Sequence, residues 1–139
     1  MFQLHDAFLG TSYALGELAL SHVRLHGDAR YPWIVLVPRV SLAREFEDLA
    51  SGELDVLMEE ILRAGRAVRA VALTQGRAVE KLNVGQLGNV TPQLHVHVVG
   101  RRSDDPAWPG PVWGHSAAVA YPPDALAMAL EAGRAALGL

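Results

Sequence analysis

Pro92-Gln93-Leu94-His95-Val96-His97-Val98-Val99-Gly100 alternates polar and apolar residues with a period of two. That is the period of a half-buried β-strand. Leu94, Val96 and Val98 then point into a core, while Gln93, His95 and His97 share the opposite face. Side chains two residues apart on one face of a strand lie about 6.5–7 Å from each other. Two imidazoles at that spacing reach one phosphate-sized group. Proline at position 92 suits the first residue of such a strand, where a missing N–H does least harm.

Immediately upstream, Lys81-Leu82-Asn83-Val84 reads as a short strand, joined to the histidine strand by the glycine-bearing loop Gly85 to Thr91. Trp33-Ile34-Val35-Leu36-Val37 is a continuous apolar run ended by Pro38, and its β-branched content marks a buried central strand. Glu17 to His26 reads as extended, with a change of parity near Ser21 that signals a bulge or a short connection. Gly27 to Pro32 is a loop, and the residues through Tyr13 form an irregular lead-in or a short helical turn. Ser41 and Ser51 both suit N-caps, which predicts a short helix over Leu42 to Ala50 and a longer one after Ser51. In the longer one Leu54, Leu57, Met58, Ile61, Gly65, Val68 and Ala72 recur at helical steps for roughly 20 residues. Arg63, Arg66 and Arg69 on another part of its surface read as a solvated face. Three prolines, two tryptophans and two glycines make Arg101 to Gly114 an ordered loop. Asp124 can cap a last helix, Ala125 to Leu137, that buries Leu126, Leu130 and Leu137. Strands, helices and further strands with short connections predict an α+β fold.

The chain has 139 residues, of which 50% are hydrophobic, so a single domain over 1–139 with a proper core is expected. A net charge of −3 argues against a surface built to grip a nucleic-acid polymer. With no cysteine, thiol catalysis, disulfides and cysteine zinc sites are excluded. The start, Met1 to Asp6, lacks the basic and apolar runs of a signal peptide, and no stretch of about 18 apolar residues suggests a membrane span. A cytoplasmic location is expected.

On the residues alone, His95 and His97 admit three readings. They are a surface or interface pair, two ligands of a metal, or catalytic imidazoles. A metal needs further ligands, and Asp104, Asp105 and His115, the downstream candidates, have no convincing spacing. Catalysis by a neutral imidazole fits the preceding loop, whose amides, with Asn89 and Thr91, can cradle a phosphate. Spacing does not choose among the three.

Gln93-Leu94-His95-Val96-His97-Val98-Val99 resembles the signature of the histidine-triad (HIT) family, His-φ-His-φ-His-φ-φ, where φ is apolar. Ile34-Val35-Leu36-Val37-Pro38 ahead of a long helix, Asn83, and the pair Gly88-Asn89 also match that family. The resemblance spans residues 18–101, followed by a Pro/Trp/Gly-rich loop over 102–121 and a helix over 124–137. Within the family it is nearest to a bacterial branch that carries Asp-Asp-Pro-Ala-Trp-Pro-Gly-Pro-Val-Trp-Gly, here Asp104 to Gly114.

The resemblance implies an antiparallel meander sheet of about five strands with two main helices. It also implies a homodimer whose two sheets join edge to edge. The activity it implies is hydrolysis or nucleotidyl transfer at the α-phosphate of a purine nucleoside 5′-phosphoramidate or a dinucleoside polyphosphate. His95 would be the nucleophile and His97 the phosphate partner. Asn89, Asn83, Gln93 and Thr91 would sit near the phosphates, and Asp28, with His26 or Gly27 as the alternative equivalent, near the ribose. Leu18, Leu25 and Val37 would line the base pocket. Trp108 and Trp113 would close over the site or reach the partner, or else pin the loop to the core. No metal or other cofactor is implied.

Two departures stand out. Gln93 replaces the first triad histidine, and glutamine hydrogen-bonds but carries no proton. Val90 stands where the family often has a hydroxyl residue, with Thr91 one place later and, in an extended segment, facing the other way. A nucleotide-binding module with little turnover is therefore the rival reading.

Overall fold

The computed structural model describes all 139 residues. Five antiparallel strands form one sheet: β1 (Ser12–Glu17), β2 (Ser21–His26), β3 (Trp33–Pro38), β4 (Lys81–Gly85) and β5 (Val96–Arg101). Their order across the sheet is β1-β2-β3-β5-β4. The continuous apolar run of β3 is buried at every position, as its central place requires. α1 (Ser51–Thr74) lies across β3 and β5, and α2 (Pro123–Leu137) packs on α1 and touches β1. The α+β architecture read from the sequence is the one observed. No helix is long and apolar enough to cross a membrane.

Alternation along each strand sorts the core into two unequal parts. Leu25, Ile34, Leu36, Val96 and Val98 join Leu57, Val68 and Val71 of α1 in a cluster of nineteen buried residues. On the other face, Phe8, Tyr31, Trp33, Val35, Val37 and Val99 belong to a cluster of eight, with no helix above them. Gly100 lets α1 approach: a Cβ there would lie 2.7 Å from Pro32 and Val79 and 2.9 Å from Val68. Buried Glu60 of α1 accepts the Leu20 and Ser21 N–H groups at 2.7 and 3.1 Å, fastening the helix to the β1–β2 turn.

Several local expectations change. The lead-in contains a 3₁₀ turn (Asp6–Phe8) and the start of β1, which begins at Ser12 and carries a bulge between Ala14 and Gly16. The parity change near Ser21 is the β1–β2 connection itself. Leu42 to Ala50 is not a helix. Leu42 adopts φ 64°, Asp48 accepts the N–H groups of Arg44 and Glu45, and only Phe46–Asp48 closes a 3₁₀ turn. The N-cap of α1 is Ala50, whose N–H goes to Glu53 at 2.8 Å, so Ser51 is the first helical residue. Asp124 lies inside the first turn of α2, where its charge complements the helix dipole, and Pro123 takes the first position. Of the three helical arginines, Arg63 donates to the Leu137 carbonyl and Arg69 to that of Val79.

Candidate active site

β5 is shorter than its sequence pattern. Pairing begins at Val96, because the Leu94 N–H goes to the Ala43 carbonyl and the Gln93 carbonyl is taken by a side chain. Alternation survives that break: Leu94 is buried on the helix side, while His95 and His97 share the other face. Their rings meet edge to face with centroids 4.9 Å apart.

The side chain that takes the Gln93 carbonyl is His95, whose Nδ1 lies 2.6 Å from it. A carbonyl only accepts, so Nδ1 holds the proton and Nε2, across the ring, keeps its lone pair. The Phe8 ring stands against this imidazole at 5.0 Å. Burial lowers the pKa of His95, against the opposing pull of the Gln93 carbonyl, and so favours the neutral ring. His97 is wedged between Trp33 and Trp113, each 5.6 Å away, and the Trp33 indole N–H donates to its Nδ1 at 3.0 Å. Burial first, then the neighbouring His95 and His26, push the pKa of His97 down to about 3.

Both histidines border a cleft of about 280 Å³ whose other walls are residues 87–91 and Trp113. Asn89 and Thr91 line it, as their predicted roles require. The segment bends after Gly88, whose φ is 73°, so Thr91 is not turned away as an extended segment would turn it. Trp113 lines the cleft from the long loop, and Gly85 makes room for it: a Cβ there would lie 2.9 Å from the indole. A larger hollow, about 460 Å³, lies between residues 1–6 and 41–43 and touches neither histidine.

Other predicted residues sit elsewhere. Asn83 accepts from Arg101 at 2.7 Å and does not line the cleft. The Gln93 amide is turned to the N-terminal segment, accepting from the His5 N–H and donating to the Gln3 carbonyl, both at 2.8 Å. It does not line the cleft of His95 and His97. Asp28 is buried and held by Arg30 and the Val119 N–H, so it is not free for a ribose. His26, the alternative, stacks on Trp33 at 3.9 Å and borders a second cleft of about 370 Å³ with Ser12, Tyr13 and Gly27. Leu18 and Leu25 belong to the helix-side core and cannot line a base pocket on the histidine face, whereas Val37 is on that face. Trp108 lies over the Arg101 guanidinium at 5.8 Å, and Arg101 pairs with Asp105 at 2.8 and 3.0 Å. It serves to pin the loop.

Three residues on the histidine face were not singled out from the sequence for the site: Phe8, Trp33 and Arg24. Arg24 is 5% exposed and bonded to Ser12 and His22, with no carboxylate in direct contact. Its charge adds a positive field on this face. No group of three or more His, Asp or Glu side chains is placed to hold a metal ion.

Comparison with known proteins decides the family, because residues 10–104 match the HIT domain. The chain belongs to the HIT family. This HIT protein superposes on a histidine triad protein from Bradyrhizobium japonicum with a TM-score of 0.90 and 38% identity, covering 98% of each chain. A histidine triad protein from Marinobacter aquaeolei VT8 gives a TM-score of 0.89 and 38% identity, covering 99% of this chain and 97% of that one. One from Sinorhizobium meliloti 1021 gives 0.88 and 34%, covering 99% and 98%. No curated protein matches this HIT protein significantly. HIT proteins are nucleotide-binding hydrolases and transferases.

Proposed function

We propose that this HIT protein hydrolyses or transfers at the α-phosphate of a purine nucleoside 5′-phosphoramidate or a dinucleoside polyphosphate. The observation that carries the reading is the 2.6 Å bond from His95 Nδ1 to the Gln93 carbonyl, which reserves the Nε2 lone pair for the cleft. Nε2 attacks the α-phosphorus. The bond to the leaving group breaks with its electron pair going to the departing oxygen or nitrogen, which takes a proton from solvent water. Water then attacks the same phosphorus, releasing the nucleoside monophosphate and restoring His95. His97, Asn89 and Thr91 face the phosphoryl oxygens in that cleft. The cleft bordered by His26 accommodates the nucleoside.

Incubation with a labelled adenylyl phosphoramidate or dinucleoside polyphosphate, quenched early, should trap a nucleotidyl-histidine. His95→Ala should abolish the adduct and lower turnover by at least ~10³-fold. Micromolar nucleotide binding with neither adduct nor product would overturn the hydrolase reading in favour of a binding module. The engagement of Gln93 with the N-terminal segment is what favours that second reading. We also infer a homodimer, since β4 leaves one edge of the sheet open to a second copy.

A further inference from the structure

The Trp33–His97 bond, like the bond from His95 to the Gln93 carbonyl, has only one possible direction. An indole nitrogen donates and never accepts. The 3.0 Å contact from Trp33 Nε1 therefore requires a lone pair on His97 Nδ1, and the proton of the neutral ring resides on Nε2. We propose that Trp33 is a positioning residue that locks His97 as a neutral Nε2–H donor to the substrate phosphate, removing it as a carrier of protons. The proposal rests on the hydrolase reading above and deepens it.

Two adjacent imidazoles are thus fixed in opposite tautomers. His95 gives its Nδ1 proton to the Gln93 carbonyl and keeps a lone pair on Nε2; His97 receives at Nδ1 and keeps a proton on Nε2. The first arrangement suits a nucleophile, the second a donor to negative charge growing on a phosphoryl oxygen. The groups around His97 oppose a second proton. They are His95 on its own strand, His26 from β2 and the Trp33 N–H from β3, with Trp113 closing the side toward the loop. On β4, Gly85 pairs with His97 and brings no charge. The ring is also held in place by these contacts, so its N–H is aimed as well as assigned.

The test is long-range ¹H–¹⁵N correlation on the full chain labelled at histidine nitrogens. Wild-type His97 should show one neutral tautomer, protonated at Nε2, unchanged between pH 8 and pH 5. Trp33→Phe keeps a ring and loses the donor. His97 should then become a tautomer mixture that titrates within that range, with kcat falling about ten- to a hundredfold and KM changing less. An Nδ1-protonated or charged His97 in the wild type at pH 7 would overturn the proposal, as would an unchanged His97 spectrum in Trp33→Phe. If that variant does not fold, the wild-type spectrum decides alone. A wild type that turns over no nucleotide sinks the hydrolase reading, while the spectrum still tests the tautomer lock separately.

Discussion

The two faces of the sheet are stabilised by different means. Under the helices, nineteen buried residues form one cluster, and the carboxylate of Glu60 inside it is fully engaged by the β1–β2 turn. The opposite face has eight, covered only by the N-terminal segment and the loop after β5. That cover is held by directional bonds. Gln93 grips residues 3 and 5, Asp28 holds Val119, and Asp105 takes the N–H groups of Ala107 and Trp108. Apolar burial is non-directional, so the helix face tolerates rearrangement, whereas each bond on the other face fixes one contact. Irregular cover also leaves room for polar side chains that are largely desolvated yet still reach a cleft. The cleft with His95 and His97 lies on that face.

Substitution can break this contrast. Leu36→Ala, deep under the helices, should cost about 2–5 kcal/mol of stability while the folded fraction still forms the His95 adduct. Denaturant unfolding and adduct yield measured together check it; a loss of adduct without a loss of stability would tie the faces together. Asp105→Asn should cost about 3 kcal/mol, because it leaves the buried Arg101 guanidinium without its counter-charge. A cost under ~1 kcal/mol in the same assay would show that apolar contacts of Ala107 and Val112 hold the loop, not the ion pair.

A gentler perturbation is pH. His26, His95 and His97 all have lowered pKa values in the folded protein, burial being the leading cause for each. Below the ordinary value of 6.5, the unfolded chain therefore binds more protons than the folded one. Stability falls as pH drops through that value, and for His97 the loss continues toward about 3. Between pH 7 and pH 5, amide protection, corrected for the intrinsic pH dependence of exchange, should fall in the N-terminal segment and the loop after β5 before it falls in α1. Uniform behaviour would sink the idea. The carboxylates of Asp28 and Asp105, also lowered, add their loss only below about pH 4. The smallest effect expected is Gln93→Ala, about 1 kcal/mol from two partly exposed bonds. Gln93→Glu keeps the acceptor for His5 but sets a carboxylate oxygen against the Gln3 carbonyl, so it should cost at least as much as Gln93→Ala; a smaller loss would mean the bond to Gln3 contributes nothing.

Legibility in the sequence followed the same division. β3 and α1 were readable because burial against helices imposes simple periods on their residues. His95, His97 and Asn89 were readable because strand alternation and a glycine-bearing loop place them locally, whereas the orientation of Thr91 depends on the bend after Gly88. Trp33 was read only as part of an apolar run, since its partner lies 64 residues away and the register of β3 on β5 is a tertiary fact. Gln93 was assigned to a phosphate by its place in the motif, whereas its amide bonds to residues 3 and 5, a choice that no local pattern encodes. The failed helix over Leu42 to Ala50 has the same cause: Ala43 gives its carbonyl to Leu94 across the fold.

Gly85, finally, makes the width of the cleft a matter of one absent methyl group. Its hydrogen stands where a Cβ would press on Trp113, and Trp113 is one wall of the cleft beside His95 and His97. A change from glycine there would narrow the opening while leaving every reacting atom in place. A position with no chemistry of its own therefore sets the width of the cleft beside the two histidines.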